Sequence, residues 1–314
     1  MKYYVAPMEG ITDSIYRRLH RKYFPGADRY YTPFFSPTVH RSLTPREMRE
    51  LPPASALDAC VIPQLLTKVP EDFLWMAGQC TELGYEEVNL NTGCPSGTVT
   101  AKGKGSGMLR ELDHLDRFLE KIFKDSPLPV SVKTRIGFAD AEEFPRILEI
   151  LNRYPIRELI VHPRLRKDFY NGGVDMDAFC YAVQHSRAPL CYNGNLCSLT
   201  QIEAFAKEFP QVESVMLGRA LIADPGMFTP GGTTVEALEK FLEELTCEYV
   251  EHFGGAKNAM FRMKEHWRLL LCKFENNEKL GKKLRKTTDI GEFRSITWEI
   301  LHTLPMRKEI APDW

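Results

Sequence analysis

Residues 89–109 read NLNTGCPSGTVTAKGKGSGML, and Cys94 sits at the apex of this stretch. The residues just ahead of it, 87–90, read as a short buried strand. Behind it, Gly97, Gly103, Gly105 and Gly107 predict a pliable backbone, and Lys102 and Lys104 make the loop positive. A thiol raised on a loop directly after a strand is where a parallel α/β protein places chemistry. Taken alone, the same pattern describes a buried, inert cysteine, the commoner fate of this residue type.

Other groups fit a rim around that thiol. If residues 3–6, 29–35, 60–65, 87–90, 130–133, 158–161, 190–193 and 214–217 are parallel strands, their carboxyl ends carry Met8, Phe35, Gln64, Asn91, Lys133, His162, Asn193 and Gly218. Any one of the five hydrogen-bonding residues among them could merely cap a strand. Five at the ends of apolar strands point to a shared site.

Six short motifs run along the chain: APMEG at 6–10, NTGCP at 91–95, VKTR at 132–135, VHPR at 161–164, NGN at 193–195 and GR at 218–219. In order and spacing they resemble the dihydrouridine synthases, a family that reduces uridines in transfer RNA with FMN on a (β/α)8 barrel followed by a helical domain. Three positions depart from the family's usual letters. Asn89 stands where Asp is frequent, Pro33 where the second strand often carries Glu, and Pro163 where Gly is usual. None of them removes a cofactor or acid residue.

The resemblance implies roles residue by residue. Gly218 and Arg219, with Asn193, Gly194 and Asn195, would anchor the FMN phosphate, since the loops after strands 7 and 8 are the usual phosphate site of this barrel. Gln64 and Lys133 would contact the flavin ring, and Pro7, Met8 and Glu9 would back it. By its strand position alone Lys133 could equally snorkel to solvent. Uracil reduction takes a hydride at C6 and a proton at C5, so a flavin on one face requires an acid on the other. Cys94 fits, because a thiol with a reference pKa of ~8.5 is protonated near neutral pH yet able to donate. Asn91 is expected at the uracil edge. His162 is grouped with the flavin and Arg164 with RNA, although either could hold either. NADPH is the implied reductant, and with no G-x-G-x-x-G opening a βαβ unit it would act at the flavin face.

The elements that must position these groups are legible as a pattern. β-branched and aromatic runs alternate with amphipathic segments at 70–82, 112–124, 141–152 and 199–207, which predicts eight strands wound with helices, a (β/α)8 TIM barrel. Near residue 231 the pattern changes: Pro230, Gly231 and Gly232 break it, Thr233 or Thr234 could cap a helix, and everything beyond reads helical. This predicts a catalytic barrel over 1–230 and a small all-helical domain over 231–314. Residues 236–256 hold six acids and one lysine, net −5, whereas 257–286 hold ten Lys or Arg and three Glu, net +7. Lys257, Lys264 and Arg268 share a face beside the apolar stripe of Met263, Trp267, Leu270, Leu271 and Phe274. Such charge runs are usually solvated surface. With the resemblance, Lys264 and Arg268 are expected to meet RNA phosphates, and Lys102, Lys104, Arg135, Arg164, Arg166 and Lys167 to surround the barrel mouth.

A formal net charge of −1 announces no nucleic-acid partner globally, so any such surface must be local. The eight cysteines form no C-x-x-C pair and no zinc spacing, which predicts reduced thiols, a cytosolic setting and no metal. MKYYVAPMEG runs straight into a strand, and no apolar run approaches the ~20 residues of a membrane span, so a soluble cytoplasmic protein is expected. No oligomer is implied, and a monomer is favoured. The rival expectations are a flavin barrel acting on ribosomal RNA, on a free pyrimidine or on a small enone, and an RNA-binding protein that has lost catalysis.

Overall fold

The computed structural model describes residues 1–38, 40–57 and 60–312. Nine parallel strand segments form one sheet: β1 Lys2–Val5, β2 Arg29–Tyr31, β3 Val61–Ile62, β4 Gln64–Leu65, β5 Val88–Thr92, β6 Val130–Gly137, β7 Leu159–Leu165, β8 Leu190–Tyr192 and β9 Ser214–Leu217. The order β3-β2-β1-β9-β8-β7-β6-β5-β4 closes on itself because β3 and β4 are halves of one barrel strand, parted at Pro63. Proline has no N–H to give the ladder, so β3 pairs with β2 and β4 with β5. Eight barrel strands therefore stand where the alternating pattern predicts them.

Boundaries differ where proline or a bulge intervenes. The second strand stops at Tyr31, just before Pro33, and resumes only as a single bridge from Phe35 to Leu65. By contrast β6 and β7 each run four residues past their expected ends. Lys133, Arg135, His162 and Arg164 thus stand on rigid strand rather than on loop. The β6/β7 register slips by one residue between Arg135–His162 and Gly137–Leu165, a bulge that accommodates Pro163.

The helices between strands are α1 Ser14–Tyr23, α2 Pro45–Glu50, α3 Pro70–Glu82, α4 Gly97–Thr100, α5 Leu112–Asp125, α6 Phe144–Leu151, α7 Met176–His185, α8 Leu199–Glu208 and α9 Arg219–Ala223. The segment expected as one helix over 141–152 begins as a 3-10 turn at Ala141–Glu143, closed by an Asp140/Glu143 capping box. The alternation of strand side chains sorts the core into two shells. Val88, Leu90, Val130, Val132, Leu159, Val161, Val215 and Leu217 face outward to the helices. Tyr4, Ala6, Tyr31, Ile62, Ile160, Cys191 and Met216 fill the barrel interior.

Beyond Thr234, whose hydroxyl caps the next helix, lie α10 Val235–His252, α11 Ala256–Leu270, α12 Glu278–Lys286 and α13 Ile290–Thr303. Their apolar faces are continuous with the outer shell of the barrel. Phe241 sets its edge on Phe24 and Tyr16, with centroids 5.4 and 5.7 Å away, and His266 stacks on Tyr16 at 5.3 Å. Lys273, 3 % exposed, donates at 2.6 Å to Asp224, whose other oxygen accepts from Thr233. Tyr249 donates to Asp13, the cap of α1, at 3.1 Å. Among the described residues no helix is long and apolar enough to cross a membrane.

Candidate active site

Strand alternation places Asn91 of β5, Lys133 and Arg135 of β6 and His162 and Arg164 of β7 on the inner face, above the apolar interior. With Gln64 of β4 they surround a cavity of about 660 Å3 at the carboxyl end of the barrel. Pro7, Met8 and Glu9 form one wall of it, Asn193, Gly194, Asn195, Gly218 and Arg219 another, and Cys94 opens onto it. Of the residues expected at the site or around its mouth, Lys102, Lys104, Arg166, Lys167, Lys264 and Arg268 are not part of its lining.

Cys94 is held on both sides. The side-chain oxygen of Asn91 accepts the N–H groups of Gly93 at 3.0 Å and Cys94 at 2.9 Å. Ser106 donates its N–H and its hydroxyl to the Cys94 carbonyl at 3.1 and 2.8 Å. The expectation of a pliable glycine loop is corrected here. The segment folds into α4 and a 3-10 turn at Gly105–Arg110, and Gly105 and Gly107 allow close packing against Cys94 and Thr100. Gly105 has φ +57, and a Cβ there would come within 2.9 Å of the Cys94 carbonyl oxygen. Burial pushes the Cys94 thiol up, and it outweighs the opposing pull of Arg135 and Lys133. The group is a protonated thiol near neutral pH.

Around it the charges share one sign. Lys133 is pushed down to about 8 by burial first and by Arg135 second. His162 is driven well below the usual histidine range by burial, with Lys133, Arg135, Arg164 and Arg219 adding to the effect, so it is neutral. A guanidinium can only donate, so the 3.0 Å contact from Arg164 to Nε2 of His162 puts the imidazole hydrogen on Nδ1. Arg164 is steadied by Asn195 at 3.2 Å and by the carbonyls of Asn171 and Gly172. Arg135, expected at RNA, directs its donors to the carbonyls of Gly93 at 3.0 Å and Leu165 at 2.7 Å and to that of Phe169. It therefore ties the Cys94 loop to the loop after β7. Among the described residues Glu9 is the one carboxylate of the lining, and it is paired with Arg46 at the mouth.

Outside the cavity Lys102 is exposed, and Lys104 donates to Ser36 at 2.6 Å. Lys264 reaches the carbonyls of Arg285 and Thr287 at the end of α12, where it acts as a cap. Arg268 is exposed on α11, and that helix packs against α9, whose first residue is Arg219 of the cavity lining. Arg262, on the same helix, donates to the Gly10 carbonyl.

The sequence reading missed three aromatic residues of the lining, Phe34, Phe169 and Tyr170. Tyr170 is 50 % exposed, with its ring 5.3 and 5.4 Å from the Arg135 and Arg219 guanidinium groups. Phe169 has φ 50, a conformation costly for a bulky residue. Two adjacent aromatics after the basic run at 164–167 were the available signal.

The family profile described as dihydrouridine synthase matches residues 4–298. A probable tRNA-dihydrouridine synthase 1 from Synechocystis sp. is 25% identical over 95% of this chain and 86% of its own. A tRNA-dihydrouridine synthase B from Pasteurella multocida is 26% identical over 79% of this chain and 75% of its own. A tRNA-dihydrouridine(16) synthase from Shigella flexneri is 28% identical over 72% of this chain and 74% of its own. Among solved structures, a morphinone reductase variant in complex with tetrahydroNAD superposes with a TM-score of 0.53 at 12% identity, covering 74% of this chain and 87% of its own, which is a likeness of fold. With its thiol-bearing loop, its cationic barrel mouth and a profile match over nearly its whole length, the chain belongs to the dihydrouridine synthase family of flavin-dependent oxidoreductases.

Proposed function

We propose that this protein is an FMN-dependent tRNA-dihydrouridine synthase that takes its electrons from NADPH, with residues 1–230 as the catalytic barrel and 231–314 as a helical RNA-docking part. The observation that carries the reading is that a protonated thiol, Cys94, opens onto the same cavity as Lys133, His162, Arg164 and Arg219. About 660 Å3 lies within the ~300–1,000 Å3 of small-molecule sites. Its donors suit a dianionic phosphate and an electron-rich ring, and its carboxylate is neutralised at the mouth.

In this reading Arg219 and the backbone of Gly218, with Asn193, Gly194 and Asn195, hold the FMN phosphate. Gln64 and Lys133 meet the ring edge, and Pro7 and Met8 back it. Held there, the flavin would supply hydride chemistry at C6 of uracil, with the nicotinamide as its reductant. Cys94 delivers its proton to C5, and Arg135 and Lys133 then stabilise the thiolate left behind. The Nδ1–H of His162 is a donor for flavin or base. Lys102, Lys104 and Arg268 are placed to attract the phosphates of an RNA whose uridine is unstacked into the cavity. The setting for such a substrate is the cytoplasm.

The test is direct. The purified protein should be yellow, carry one non-covalent FMN and, with NADPH, form dihydrouridine in tRNA from a strain lacking the gene. A protein without flavin absorbance even after reconstitution overturns the cofactor assignment, and conversion of ribosomal RNA but not tRNA overturns the substrate.

A further inference from the structure

Beneath the site, four buried polar side chains form one hydrogen-bonded line. Asn91 Nδ2 donates to Gln64 Oε1 at 2.7 Å, Gln64 Nε2 to Asn89 Oδ1 at 2.8 Å, and Asn89 Nδ2 to Ser131 Oγ at 3.0 Å. Asn89 and Ser131 are fully enclosed in the barrel interior. The backbone sets the direction of this line. Two main-chain N–H groups, those of Gly93 and Cys94, can only donate, so the atom of Asn91 that faces them is its oxygen. Each amide in turn must then present nitrogen downward and oxygen upward, and the line ends on a hydroxyl, which can accept.

We propose that Asn89 is a positioning residue for the active site. It braces the amide of Gln64 from below, and Gln64 in turn braces Asn91, whose oxygen holds the N–H groups of Gly93 and Cys94. Its oxygen accepts from Gln64 Nε2 while the Gln64 carbonyl accepts from Asn91, so the Gln64 amide is held at both ends. An apolar side chain at 89 would leave the Gln64 Nε2 donor buried without its acceptor, so Gln64 would shift toward another acceptor. Its carbonyl would then sit less squarely under Asn91, and the turn would lose its brace from below.

The inference rests on reading Cys94 as the acid, but its first readout needs neither flavin nor RNA. In the full-length protein, the rate of iodoacetamide alkylation at Cys94, followed by mass spectrometry between pH 6 and 10, should shift in Asn89→Leu and return toward wild type in Asn89→Asp, which keeps an acceptor for Gln64. With RNA, Asn89→Leu should lose roughly 10- to 100-fold in kcat at unchanged KM, the expected cost of a misplaced catalytic group. The absorption band of bound flavin should shift as Gln64 turns. Should the leucine variant not fold, Asn89→Ala, which adds no atoms, decides by the same readouts. A variant that only melts earlier, with alkylation, spectrum and kcat unchanged, overturns the proposal. So does an Asp variant as impaired as the Leu one. If Cys94→Ala proved active while alkylation still shifted in Asn89→Leu, the acid assignment would fall and the positioning role would stand.

Discussion

The two ends of the barrel bury comparable numbers of charged groups and treat them oppositely. At the amino end Arg29 sits between two carboxylates, 3.1 Å from Glu87 and 3.7 Å from Glu158, and Glu158 also accepts from Tyr4 and Ser214. At the carboxyl end Lys133, Arg135, Arg164 and Arg219 converge, and the carboxylate of the lining is turned to the mouth. Paired charges serve the fold, because each partner offsets the cost of burying the other. Cations gathered at one mouth add to the effect of burial, and Lys133 and His162 are both held below their ordinary range, by burial first and by neighbouring cations second.

Four experiments would break or sharpen this contrast. The largest effect is expected at the thiol. Cys94→Ala should slow RNA reduction by ~10² to 10⁴ while nicotinamide oxidation at the flavin persists; an alanine variant that reduces RNA at the wild-type rate would make Cys94 structural. Next come matched changes at the two ends. Arg219→Glu should strip the flavin with little change in thermal unfolding of the apoprotein. Arg29→Met leaves Glu87 and Glu158 without their cation and should cost on the order of 3 kcal/mol of stability, measured by denaturant melts, without altering the bound-flavin spectrum. If the outcomes swapped ends, the division of labour would be wrong.

The third concerns pH. Lys133 sits at about 8 in the free protein, and an anionic ligand raises that value. Ligand binding then takes up a proton, so flavin affinity should be constant below about pH 8 and fall above it, by at most about tenfold per pH unit. Fluorescence titration between pH 6.5 and 9.5 reads this directly, and Lys133→Met should flatten the profile. The smallest effect is at the helices. Arg268→Glu should weaken RNA binding and remove about one unit from the slope of log K against log salt. Lys264→Met should instead lower stability slightly and leave that slope alone, because its ammonium is already on the carbonyls of Arg285 and Thr287. Equal slopes for both variants would sink the distinction.

Much of the barrel was readable because two periodicities coincide. A strand such as 130–137, VSVKTRIG, carries Val130, Val132 and Ile136 on one parity and Ser131, Lys133 and Arg135 on the other, so its inner, functional face is written in the letters. The same holds for His162 and Arg164. What was not readable depends on where a long side chain ends. Arg135 and Lys264 have the composition of phosphate contacts, yet backbone carbonyls from distant segments reach them, and no spacing rule shows that. The glycines after Cys94 likewise suggested freedom, whereas the folded chain uses the missing Cβ of Gly105 to lay two turns against each other.

The seating of α10 to α13 has a consequence for recognition. These helices share the outer core with the barrel and are pinned to it by Lys273, Asp224 and Thr233, so the span from Cys94 to the basic surface is set before any RNA arrives. If the basic surface of these helices docks RNA, such a body would work as a gauge. It would measure whether a molecule can present an unstacked uridine and a phosphate ridge at one fixed separation, and would reject by misfit an RNA carrying the same base in a different outline. Selection among uridines would then be written in the outline of the whole RNA, which is why no short sequence beside the base need be read.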